Sequence, residues 1–380
     1  MFHVAIRNQG KDLFLVTASW AGETSSESVN FTSGEEYKLA KKQLLQRTPG
    51  LSLVSLDAQA PVCAQIGRTL FDTFMSASVL ALFRQYRESN DPPRVGLHLS
   101  RELYREPWEL LKDPEDEQQG DYLSLIGSVV RFDADSGEPD PRTRLIPPAR
   151  SLRCLFVSPQ ATATPGEQSV PYIRPENFQN VVFDIVNPPT YVDFMRAADN
   201  DKTNPDGFIF YGHGKVKDGI GHLIFVELQG LIMKKAVDDV RRGSAISTAL
   251  ATKRNLRFSF LMACETAWIN DDDDQDMKFE DTVAGTLMSQ TRIGFVLGAQ
   301  LKIDFGSAHT FLITTLQQVQ AGVPLDLAMK IGRRNIRGLL PDSNARSPLD
   351  WWVPVLYAKS TMFDILAPES VHQPNLNMPL

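Results

Sequence analysis

The chain has 380 residues, 42% hydrophobic and 22% charged, an ordinary globular balance with material for a sizeable core and length for two domains. Its formal charge is −7 and its basic residues are scattered, which argues against a nucleic-acid partner, because phosphate-backbone binding needs a concentrated positive stripe. The first twenty residues lack the charged start and apolar run of a secretory signal, and no stretch of about 18 apolar residues marks a membrane span. Taken in chain order, 11–20 (KDLFLVTASW) predicts a strand and 33–47 a helix. A longer helix is expected at 62–87, where Ile66, Leu70, Phe71 and Phe74 recur at three and four. Strands follow at 94–99 (RVGLHL) and 124–132 (SLIGSVVRF), bracketing a short helix, PWELLKD, with Pro107 at its first helical position. The proline-rich, charged segment 134–149 (ADSGEPDPRTRLIPPA) reads as an exposed linker. It divides an N-terminal α/β region, 1–133, that packs on or extends the core from a second domain, 150–380.

Beyond the linker, short and almost wholly apolar strands alternate with helices. The strands are 151–157 (SLRCLFV), 207–211 (GFIFY), 257–263 (RFSFLMA) and 292–298 (RIGFVLG); helical patterns at 243–253, 278–290, 307–320 and 325–337 supply the cover. Strands apolar on both faces are central members of a parallel sheet between helices. In such sheets the working residues gather beyond the carboxyl ends of the strands.

Two strands end in chemistry. FIFY runs into Gly212-His213-Gly214, and FSFLMA runs into Cys264-Glu265-Thr266-Ala267. If the two strands are parallel neighbours, His213 and Cys264 share one sheet edge. Cys264 follows His213 by 51 positions, close to the roughly 50 by which histidine precedes cysteine in caspases. A free thiol ionises near about pH 8.5, so a neighbouring imidazole is needed to take its proton. The imidazolium then returns that proton to the leaving amine. Gly214 lets a substrate carbonyl approach and can take backbone angles closed to other residues; its N–H and that of Cys264 are the candidate oxyanion donors. Cys63 and Cys154 lie in apolar patterns and read as buried packing residues. The three cysteines suit neither a disulfide framework nor a zinc site, and reduced thiols point to the cytoplasm.

At these residues the sequence resembles the CHAT domain, a caspase-like peptidase family related to separases. GFIFYGHG at 207–214 and FSFLMACETA at 258–267 look like its two signature blocks. DGIGHLIFVEL at 218–228 resembles the hairpin after the histidine, and 294–311, 320–336 and DWWVPVLYA at 350–358 resemble the closing elements. PWELLKDP followed by SLIGSVVRF resembles the segment that precedes the core. The resemblance implies a caspase-like α/β sandwich with a mostly parallel central sheet covered by helices. It implies endopeptidase activity on a dedicated protein substrate without a cofactor or metal, regulated by a partner protein or a ligand, in bacterial immunity or cell death. Through it Asp304 matches an acidic residue that in separases helps to receive a basic side chain before the cleaved bond. The competing reading of Asp304 is the cap of a helix starting near Ser307.

The densest charge run, DDDDQD at 271–276, lacks the glycine turn of a calcium loop and reads as a solvated loop. Glu265 beside the thiol would raise its pKa, so no catalytic role is assigned to it. His98, His222 and His309 have no obvious partner cluster, and Trp108, Trp351 and Trp352 read as packing anchors. A different class of function keeps the fold and drops the chemistry: a catalytically inactive caspase-like module that binds protein partners.

Overall fold

The structure is a computed structural model that describes residues 1–45, 53–114, 121–133, 147–159, 173–200, 204–229, 235–267, 278–338 and 348–367. The N-terminal part contributes a meander, β1 (Phe2–Gly10), β2 (Leu13–Trp20) and β3 (Glu23–Asn30). Helices α1 (Glu35–Leu45), α2 (Leu53–Phe74) and α3 (Ala77–Ser89) follow, then β4 (Arg94–Leu99), the single turn α4 (Leu123–Ile126) and β5 (Ser128–Asp133). Next come β6 (Leu152–Val157), β7 (Val181–Ile185), α5 (Tyr191–Asp199), β8 (Gly207–Tyr211) and a small sheet of β9 (His213–Lys217), β10 (Ile220–Gln229) and β11 (Lys235–Arg242). The chain closes through α6 (Gly243–Leu250), β12 (Phe258–Met262), α7 (Val283–Gln290), β13 (Phe295–Ala299), α8 (Phe305–Gln320), α9 (Leu325–Arg337) and β14 (Pro354–Ala358).

Eleven of the described strands form one sheet in the order β3-β2-β1-β4-β5-β14-β13-β12-β8-β6-β7. Apart from the antiparallel meander and the antiparallel pairing of β13 with β14, neighbours run parallel. The continuous apolar runs fall where burial on both faces demands them: every residue of β8, β12, β13 and β14 is buried. Period-two alternation assigns the covers. On β8, Phe208 and Phe210 meet Phe194 of α5 and Phe225 of β10, whereas Tyr211 meets Phe305 and His309 of α8. The small sheet and α5 therefore lie on one face and α8 on the other.

Three expected elements take another form. The helix expected at 62–87 is two helices whose axes turn by 106° at Met75-Ser76, because extended Ser76 is the N-cap of α3 and stops the helical ladder. Of 124–132 only the part from Ser128 is strand; Leu123–Ile126 is a helical turn. PWELLKD keeps only a 3-10 turn, Trp108–Leu110, with Pro107 as its cap rather than its first residue. Most of the proline-rich segment 134–149, and all of 271–276, lie outside the described residues. Among the described residues no single helix is long and apolar enough to cross a membrane.

Parallel pairing of β1 with β4 also gives His98 a partner that its sequence neighbourhood does not reveal. His3 Nδ1 and His98 Nε2 share a hydrogen bond at 3.0 Å, and the His98 ring stacks on Phe132 at 4.8 Å. Burial first, then the charges of His3 and Arg7, lower the His98 pKa from 6.5 to about 4; burial also lowers that of His3. A base depressed in the folded state binds its proton more readily unfolded, so its contribution is fully present above pH 6.5 and is lost as pH falls towards about 4. Thermal melts across this window are expected to show a falling midpoint, and a shallower fall for His98→Gln, which cannot titrate.

Candidate active site

The register of two strands brings the sequence-predicted pair to one edge. β8 and β12 are parallel neighbours paired from Gly207↔Phe258 to Tyr211↔Met262. His213 and Cys264 each lie two residues past the last pair, and the Gly212 N–H donates to Met262 O at 3.2 Å between them. After Gly212 the chain leaves the large sheet and becomes β9, an outer strand of the small one.

The turn from β9 to β10 is Asp218-Gly219, both left-handed at φ 53° and 69°, the signature of a two-residue primed hairpin. Residues flanking such a turn form a hydrogen-bonded pair, and the pairs alternate from there. Lys217, Lys215 and His213 thus bond to β10, while the N–H groups of Val216 and Gly214 point off the free edge. The Val216 N–H donates to Glu265 Oε2 at 3.3 Å, so this edge faces the cysteine loop. Gly214 does not use a left-handed conformation, contrary to the sequence expectation; its glycine is required by close approach. A Cβ there would stand 2.3 Å from the Cys264 carbonyl oxygen. Gly214→Ala is expected to force the two segments apart, at a cost of about 1–3 kcal/mol, read as a lowered thermal midpoint.

The cysteine loop is tied to the end of β13. Glu265 N donates to Leu301 O at 3.3 Å, Ala267 N to Ala299 O at 3.0 Å, and Ala299 N to Thr266 Oγ1 at 3.0 Å. Glu265 itself sits at φ 59°, left-handed without being glycine. Cys264 is half-buried, unlike the fully buried Cys63 and Cys154, and its Sγ lies 3.8 Å from Ile303 O. Burial raises the Cys264 pKa, and the Glu265 and Asp350 carboxylates push the same way; the Ile303 bond and the Lys302 ammonium oppose them. In this geometry the thiol holds its proton at neutral pH, and a base is required to remove it. The exposed His213 ring meets the Phe305 ring edge-on at 5.8 Å. Dyad candidates therefore flank the same short segment, 303–305.

Asp304 occupies that segment as the N-cap of α8. Its Oδ1 accepts from Gly306 N at 2.8 Å and Ser307 N at 3.2 Å, while its own N–H donates to buried Asp350 Oδ2 at 2.8 Å. Burial raises its pKa, opposed by the amide bonds of the cap. Tyr211 donates its hydroxyl to Phe305 O at 3.1 Å, fixing the start of α8 against β8. Ile303, Phe305 and Glu265 are the site residues that sequence reasoning missed or set aside. Among the described residues no group of three or more His, Cys, Asp and Glu side chains is placed to hold a metal ion.

No protein-family model matches the chain, and no curated protein matches it. Among solved structures it is similar to the Saccharomyces cerevisiae separase-securin complex, with a TM-score of 0.50 at 12% sequence identity, over 94% of this chain and 30% of that one. The chain thus spans less than a third of the length of its structural neighbour, and at this identity the likeness is one of fold. Sheet order and comparison agree on one conclusion: this is a caspase/separase-like α/β fold, its mostly parallel central sheet flanked by helices.

Proposed function

We propose that the chain is a cysteine endopeptidase of the CHAT type, with His213 and Cys264 as its dyad. The observation that carries this reading is the register: two adjacent parallel strands end together, and each delivers one member of the pair two residues later. His213 takes the thiol proton and the thiolate attacks the scissile carbonyl carbon, moving the carbonyl electrons onto oxygen. The N–H groups of Gly214 and Cys264 receive that oxyanion; the free-edge position of the Gly214 N–H supports its role. As the tetrahedral species collapses, the C–N bond breaks and the amine leaves with the proton from His213. Water, deprotonated by the same imidazole, then hydrolyses the thioester.

Asp304 is proposed to receive a basic side chain of the substrate, with the carboxylate that also caps α8. The thiol contact with Ile303 O and the raised Cys264 pKa favour a resting site that a regulatory protein completes. The structural neighbour is itself in complex with a protein, securin. A role in bacterial defence or cell death is what the CHAT resemblance implies, and three free cysteines support a cytoplasmic setting for it.

An iodoacetamide-type probe tests the dyad. Selective labelling of Cys264 that slows in His213→Ala is the expected result; labelling no faster than at Cys63 and Cys154 selects the inactive interaction module instead. A diverse peptide library read by mass spectrometry, with Asp304→Ala alongside, tests the pocket, and an unchanged cleavage preference removes Asp304 from it.

A further inference from the structure

Glu265 follows the nucleophile directly and holds a conformation that glycine would hold at lower cost. A backbone shape alone does not account for a long acidic side chain there. What the side chain does is visible: its Oε2 accepts the Val216 N–H, while its own N–H donates to Leu301 O. Glu265 thus touches both the histidine strand and the segment after β13. Val216 is three residues from His213 and two from Gly214, on the same free edge of β9. Among the described residues that edge has no neighbouring strand to hold it, and the Gly214 contact with the Cys264 carbonyl tolerates little movement.

We propose that Glu265 is a positioning residue: by bonding the Val216 N–H it pins the free edge of β9 to the cysteine loop, and so sets His213 and the Gly214 N–H relative to Cys264. This rests on the dyad reading above. The carboxylate also disfavours the thiolate at Cys264, so its charge and its clamp have opposite effects on reactivity and separate by substitution. Glu265→Gln keeps an acceptor oxygen and removes the charge; Glu265→Ala removes both.

The experiment combines hydrogen exchange at Val216 with the pH dependence of Cys264 alkylation by iodoacetamide, in the full chain. In Glu265→Ala the Val216 N–H is expected to exchange about 5–10-fold faster, the loss of one net hydrogen bond. In that background His213→Ala no longer slows alkylation further. Glu265→Gln is expected to retain protection and His213 dependence, with its alkylation midpoint moved to lower pH. Unchanged Val216 exchange in Glu265→Ala, or equal slowing by His213→Ala in both backgrounds, overturns the positioning role and leaves the dyad standing. No effect of His213→Ala in the wild-type background overturns the dyad, and the clamp's purpose with it.

Discussion

Cys264→Ala is expected to lose peptide cleavage by about 10⁴–10⁶-fold, the usual cost of deleting a nucleophile whose neighbours remain in place. The fold should barely notice. The side chain is half-buried and its one polar contact among the described residues is a long S–H···O approach to Ile303, so the thermal midpoint is expected to stay within a few degrees of wild type. His213→Ala should match the loss of cleavage, because the thiol, pushed up by burial, then lacks a base. Cleavage of a reporter peptide beside a melting curve checks both. Full activity in Cys264→Ala would take the nucleophile's role away from Cys264, whereas absence of cleavage by the wild type itself would favour the inert caspase-like module.

A second large effect is expected far from the thiol. Glu109 and Arg131 are wholly buried and paired, and Arg131 also donates to Tyr104 O at 2.7 Å and Gln300 Oε1 at 3.1 Å. Gln300 Nε2 donates back to Glu109 and to Trp352 O. Nearby Arg333 is buried too; burial lowers its pKa to about 10, and Glu109 is the neighbour that opposes the drop. Its Nε has no hydrogen-bond partner among the described residues. One carboxylate thus offsets two buried guanidinium groups. Glu109→Ala is expected to cost about 3–5 kcal/mol in chemical denaturation, since a buried charge stripped of its partner is worse than no charge. Replacing Arg131 by methionine in the same chain should recover much of that loss.

Legibility in the sequence followed burial. β4 and β8 were readable to the residue, and β6, β12 and β13 to within a few, because their apolar runs have one use; α9 was readable from its single apolar stripe. β3 was not: ETSSESVN buries only Val29 and owes its place to main-chain bonds with β2. β7 hid in the same way, as an edge strand with Val182 and Ile185 exposed. The shared sheet edge of His213 and Cys264 was legible because two apolar strands end just before them. Charge alone gives Glu265 no role; its left-handed backbone and its bond to Val216, 49 positions away, leave no local pattern in the sequence.

The position of β14 has a practical consequence. It is wholly buried and stands between β13, which follows the proline-rich segment, and β5, which precedes it. A truncation beginning after the proline-rich segment would strip β5 away and bare the apolar strand flank at Tyr357, which in the whole chain pairs with Arg131. Such a flank invites neighbours to stack against it. The shortened protein is therefore a candidate for aggregates and inclusion bodies, even with His213 and Cys264 retained.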